Sequence, residues 1–262
     1  MNTQPIGIFD SGIGGTSIWK EITSLLPYEN TIYLADSKNA PYGEKSAEKI
    51  IEFSVKNTEL LLEKGCKIIV VACNTATTNA IEILRSKYDV PFIGIEPAIK
   101  PAALQTLTNS IGILATKGTL SSSLFSKTSE KFTSTIKIIE QEGKGIVTLI
   151  ESDKLVSVEM TLLLHKYLNP MLEQRIDHLV LGCTHYSYLF QQIQKIVGEN
   201  VQIIDSGLAT AKQTNTILEK NNLKNFTSDA SKHQFYINSE KDVLESILKE
   251  VSLEYTVNKL DF

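Results

Sequence analysis

Short runs of apolar, β-branched residues alternate with longer helical patterns along almost the whole chain. Strands are predicted at Ile6–Phe9, Thr31–Ala35, Lys67–Ala72, Pro91–Ile95, Ile111–Ala115, Thr135–Ile139, His178–Leu181, Val201–Ile204 and Gln234–Asn238. Helical spacing fills stretches between them, such as Ser46–Lys64, Thr75–Lys87, Lys154–Leu168 and His185–Val197. Short apolar strands separated by helices of this length indicate parallel βαβ units covered on both faces, so the predicted class is α/β.

The pattern also repeats. "IGIFDSG" at Ile6 returns as "IGILATKG" at Ile111, "VVACNTATT" at Val70 as "LVLGCTHYS" at Leu179, and "IGIEPAIKPAA" at Ile93 as "QIIDSGLATA" at Gln202. The echoes keep the same order and nearly the same separation, which points to a duplicated α/β unit. Residues 97–206 form one predicted unit. Residues 1–96, joined by 207–262, form the other. Ligands of open parallel sheets bind beyond the carboxyl ends of the strands. Asp10, Cys73, Thr116 and Cys183 all stand at such ends, so two units facing each other would set the two cysteines on opposite walls of one cleft.

Composition narrows the function. The chain has 262 residues, 42% of them apolar, with a net charge of −4 and no basic block. This argues against nucleic acid or an anionic membrane as the main partner. No apolar run reaches the length of a spanning helix, and the N-terminus has no signal-peptide pattern. Three cysteines, an odd number and widely spaced, do not make a disulfide framework. The expected location is a reducing cytoplasm with free thiols.

In "ACNTAT" and "GCTHY" a Cys closes a strand and polar groups enter a helix. A helix N-terminus favours a thiolate, and neighbouring hydroxyls can cap the helix or bind a carboxylate. A single Cys after a buried strand is more often a small core residue. Two at equivalent places in a repeat favour chemistry, whereas Cys66 lacks this setting. Zinc would need further ligands at short spacing, and a dithiol redox centre would hold its thiols close in sequence. Two opposed thiols suit acid–base work on both faces of one carbon, which inverts a stereocentre. Asp10 lies before the glycines of "FDSGIGGTS", where an Asx-turn role is open to it as well as a functional one. His165, His178 and His233 have no comparable context.

"FDSGIGGTS", "APYG", "ACNTAT" and "GCTHY", in this order, resemble the glutamate racemase family, within the cofactor-independent aspartate/glutamate racemases. The resemblance runs from Ile6 to "FYINSE". It implies two similar parallel-sheet domains related by pseudo-two-fold symmetry, with the active site in the cleft between them. It further implies interconversion of L- and D-glutamate without pyridoxal phosphate, any other cofactor or metal, supplying D-glutamate for peptidoglycan. Carried over, Cys73 acts on D-glutamate and Cys183 on the L-enantiomer, with Asp10 and His185 assisting. Ser11, Tyr42, Gly43, Asn74, Thr75, Thr116, Thr119 and Thr184, with Asp10 and His185, match substrate-holding positions. Glu151 in "TLIESDK" matches an acidic residue near the site. The glycines are expected to bring N–H groups to a substrate carboxylate, and no strong cation is expected beside either thiol. Ala115 stands where the family usually has Gly. The resemblance allows a homodimer.

Overall fold

The computed structural model describes residues 2–227 and 229–262. Among the described residues ten strands, all paired in parallel, form two sheets. The first contains β1 (Ile6–Asp10), β2 (Thr31–Ala35), β3 (Ile68–Val71), β4 (Phe92–Gly94), β9 (His233–Ile237) and β10 (Tyr255–Lys259), in the order β10-β9-β2-β1-β3-β4. The second contains β5 (Ser110–Ala115), β6 (Lys137–Glu142), β7 (His178–Gly182) and β8 (Gln202–Ile204), in the order β6-β5-β7-β8.

The order β2-β1-β3-β4 is therefore repeated as β6-β5-β7-β8, and the register repeats with it. Ile6 lies opposite Ile68 in one sheet, and Ile111 lies opposite His178 in the other. Counting along the strands from these pairs brings Cys73 and Cys183 to the same place, and Asp10 to the place of Ala115. The three echoes in the sequence are thus topological equivalents. Ala115 is accommodated by its neighbour: a Cβ on Gly182 would stand 2.7 Å from the Cβ of Ala115.

Central strands β1, β2, β3, β5 and β7 are buried at every residue, as parallel strands with helices on both faces must be. Edge strands depart from the sequence expectation. β6 runs Lys137–Glu142 rather than Thr135–Ile139, and β10 is not foreseen at all. Neither contains a buried residue, so their hydrogen-bond ladders with β5 and β9 place them, not burial of their own side chains.

Helix boundaries follow their caps. Ser46 and Ser157 cap the helices Ala47–Glu63 and Val158–Leu172 by accepting the N–H of Lys49 and Met160. The second of these starts later than the predicted Lys154. The predicted helix from His185 divides into a 3-10 segment, Thr184–Leu189, and an α-helix, Phe190–Val197.

One core joins the two sheets. Ile13, Ile18 and Trp19 pack in the same cluster as Ile146, Ile150, Leu181, Tyr186 and Leu189. Trp19 is fully buried, sits edge-on to Phe235 at 4.8 Å and donates its indole N–H to Thr31 at 2.8 Å. Truncating such a side chain typically costs about 3–5 kcal/mol. Where the chain passes between sheets, Ser206 Oγ donates to the carbonyl of Glu96 at 2.6 Å, tying the two crossings together. Among the described residues no helix is long and apolar enough to cross a membrane.

Candidate active site

β1 ends at Asp10, and a turn through Ser11–Gly15 leads into the helix Thr16–Leu25. Asp10 is wholly buried, and its Oδ2 accepts the N–H groups of Gly12 (3.2 Å) and Gly15 (3.1 Å). It therefore has the Asx-turn role as well as a place in the site. Burial raises its carboxyl from 3.8 to about 6, although His185 and the Gly15 N–H pull the other way.

The glycines of this turn are required by two side chains arriving from the other sheet. A Cβ on Gly12 would stand 1.9 Å from Glu151 Oε1, and one on Gly14 would stand 2.2 Å from His185 Nδ1. The N–H of Ile13 donates to Glu151 Oε1 at 2.8 Å. This corrects the expectation for the glycine turn. It does cradle carboxylates, but the N–H groups of Gly12, Ile13 and Gly15 are committed to the protein's own Asp10 and Glu151.

Cys73 follows β3 and caps the helix Asn74–Lys87, its sulfur accepting the Ala76 N–H at 3.4 Å. The thiol lies 3.6 Å from Ser11 Oγ, toward which it donates. Burial pushes this thiol well up and the charge of Asp10 pushes it further, while the Ala76 N–H and Ser11 oppose. Cys183 follows β7, with its sulfur 3.9 Å from His185 Nδ1. His185 Nε2 lies 2.6 Å from Glu151 Oε1, and Nδ1 lies 4.0 Å from Asp10 Oδ2. Burial alone would lower this imidazole, but Cys183, Glu151 and Asp10 together hold it well above the usual histidine range. The two thiols thus differ in company: a carboxylate acts on Cys73, and a protonatable imidazole adjoins Cys183. Beside Cys183 the ionisable neighbour is the His185 imidazole, held between the carboxylates of Asp10 and Glu151.

Three threonines bridge the sheets. Thr75 Oγ1 lies 2.7 Å from Thr116 Oγ1 and 3.2 Å from Thr119 Oγ1, and Thr116 lies 3.1 Å from Thr119. Thr116 also caps its short helix by accepting the Thr119 N–H. Thr184 Oγ1 donates toward Asp10 Oδ1 at 3.4 Å, and the buried side-chain Nδ2 of Asn74 has no hydrogen-bond partner. Gly43 closes against Thr116, whose Cβ would be 2.6 Å from an added Cβ.

Tyr42 is placed differently from the rest. Its hydroxyl donates to Asp36 Oδ2 at 2.5 Å and accepts from Asn57 at 3.1 Å. Asp36 Oδ1 also accepts from Asn39 (2.7 Å) and Asn238 (2.5 Å). Sequence reasoning missed Asp36, Asn57 and Asn238, and Ser37 as well. A signal was present in "LADSKNAPYG": Asp36 follows β2 directly, one step beyond the level at which Asp10 closes β1.

A recess between Pro41 and Gly43 on one side and Thr116, Gly143 and Lys144 on the other leads toward this region. Cys73 and Cys183 are only 5% and 8% exposed, so bulk water is largely shut out.

A duplicated parallel α/β fold with a thiol at the same strand end in each half defines a class. A family model for Asp/Glu/hydantoin racemases matches residues 13–214. The glutamate racemase of Herpetosiphon aurantiacus is 42% identical over 225 residues, covering 86% of this chain and 89% of that protein. Among solved structures, Escherichia coli glutamate racemase in complex with L-glutamate and the activator UDP-MurNAc-ala superposes with a TM-score of 0.86 at 33% identity, covering 98% of each chain. Glutamate racemase from Francisella tularensis in complex with D-glutamate does so with a TM-score of 0.84 at 29% identity, covering 100% of this chain and 98% of that one. The chain belongs to the glutamate racemase family.

Proposed function

We propose that this chain interconverts L- and D-glutamate through two opposed thiols, with no cofactor or metal. The thiolate of Cys183 takes the Cα proton of L-glutamate, and the Cys73 thiol delivers a proton to the opposite face. The reverse reaction exchanges the roles, so each turnover leaves the thiol and thiolate swapped. The observation that carries this reading is the shared register of Cys73 and Cys183 in the repeated sheets.

The Cα proton is weakly acidic, so the developing carbanion needs preorganised donors in a site with little water. Asn74, with its free Nδ2, Ser11, Gly43, Thr75, Thr116, Thr119 and Thr184 are assigned to holding the substrate's carboxylates and ammonium. Asp10 assists on the Cys73 side and His185 on the Cys183 side. Tyr42 contributes by fixing the loop that carries Gly43. The same reading takes residues 1–96 with 207–262 as the Cys73 unit and 97–206 as the Cys183 unit. All these residues come from one chain, so the chemistry needs no second copy. The product would be D-glutamate for peptidoglycan, made in the cytoplasm. The bound L- and D-glutamate of the two solved relatives support the choice of substrate.

Circular dichroism of purified protein with L-glutamate, D-glutamate or L-aspartate, in chelator and without pyridoxal phosphate, tests this. Loss of optical rotation from both glutamates and little from aspartate is expected. No racemisation of glutamate, or faster turnover of aspartate, would overturn it.

A further inference from the structure

Glu151 is gripped from three directions. Its Oε1 accepts the Ile13 N–H (2.8 Å) and meets His185 Nε2 (2.6 Å), and its Oε2 accepts from Ser37 Oγ (2.9 Å). Ile13 and Ser37 follow strands of the first sheet, whereas Glu151 and His185 come from segments flanking the second. The carboxylate thus crosses the seam between the sheets, into space left open by the missing Cβ of Gly12.

Both of its oxygens are engaged, which suits a group that holds its neighbours rather than one that shuttles the substrate's proton. The bond made by one imidazole nitrogen sets the proton and orientation of the other. Here Glu151 acts on Nε2, and Nδ1 faces Cys183.

We propose that Ser37 and Glu151 form a latch across the two units which orients His185 toward Cys183. This rests on the racemase reading. Glu151 is then a positioning residue rather than a catalytic one, and Ser37 its partner.

The test uses Ser37→Ala, Glu151→Gln and the double variant of the full chain. Each is assayed for kcat/KM and for primary deuterium isotope effects with 2-deuterated L- and D-glutamate. Glu151→Gln should lower kcat/KM about tenfold or more, as expected when a charge-assisted bond is lost, and Ser37→Ala by less. If Ser37 acts through Glu151, the double variant should fall no further than Glu151→Gln. The isotope effect should rise for L-glutamate, deprotonated by Cys183, and not for D-glutamate. Single effects that multiply, or isotope effects that move alike for both enantiomers, would overturn the latch. The imidazole 15N signals of His185, read without substrate, should shift in both single variants, and unchanged signals would also overturn it. An inactive wild-type protein would instead sink the racemase reading.

Discussion

Gly14 and His185 occupy one another's space: a Cβ on Gly14 would lie 2.2 Å from the imidazole Nδ1. The ring is 1% exposed and is tied at Nε2 to Glu151, so it has no room to yield. Gly14→Ala should therefore displace His185, with at least a hundredfold loss of activity and about 1–3 kcal/mol of stability. Gly198 makes the comparison. Its φ of +77° strains any side chain, but nothing lies near its Cβ. Gly198→Ala should cost about 1 kcal/mol and leave activity intact. Denaturant melts and racemisation assays on the two variants check this, and equal activity losses would dissociate Gly14 from the site.

The two thiols should fail asymmetrically. Cys73→Ser is expected to slow exchange of the Cα hydrogen from D-glutamate more than from L-glutamate, and Cys183→Ser the reverse. Proton NMR in deuterated water reads both directly. Equal losses from both enantiomers in both variants would contradict opposed bases.

Asp10 gives a pH dependence with a definite sign. Its folded value, about 6, lies above the ordinary 3.8 because burial disfavours the charge. The folded state therefore binds the proton more tightly. That contribution to stability is complete below pH 3.8 and is lost as pH rises through about 6. Asp10→Asn should be stabilised relative to the wild type at pH 7.5, on the order of 2–3 kcal/mol, less what the amide loses at Gly12 and Gly15. The difference should shrink at pH 4, and activity should drop at every pH. Urea denaturation at the two pH values decides the matter, and a variant destabilised at pH 7.5 would show that the turn hydrogen bonds outweigh burial of the charge.

Tyr42→Phe keeps the ring against Phe53, 5.4 Å away, and removes one donor from the buried carboxylate of Asp36. A cost of about 1–3 kcal/mol follows from leaving that acceptor under-satisfied. Gly43, next in the chain, should then sit less firmly on Thr116, raising KM several-fold with a smaller effect on kcat. Steady-state kinetics and a thermal melt are the measurements. An unchanged KM would separate the Asp36 network from the substrate lip.

Much of the site was legible along the chain because its chemistry sits at strand ends, and strand ends are marked by an apolar run giving way to Asp, Cys or Thr. The central strands were equally plain, since burial on both faces demands unbroken apolar residues. β10 was not, and β6 only with shifted bounds, because an edge strand borrows its position from its neighbour's ladder.

By itself, the sequence determined the α/β class, the duplication, and the pairing of Cys73 with Cys183, all properties of local pattern and its recurrence. Only the tertiary structure decided what each thiol faces. Asp10 beside Cys73, and Glu151 against the His185 imidazole, are contacts between segments far apart in the chain. No local spacing encodes them. The same holds for the glycines after Asp10, which read as an anion cradle until packing showed that the anions are the protein's own carboxylates. Their missing Cβ atoms are needed because two side chains cross from the other sheet, a steric demand that exists only once both sheets are assembled.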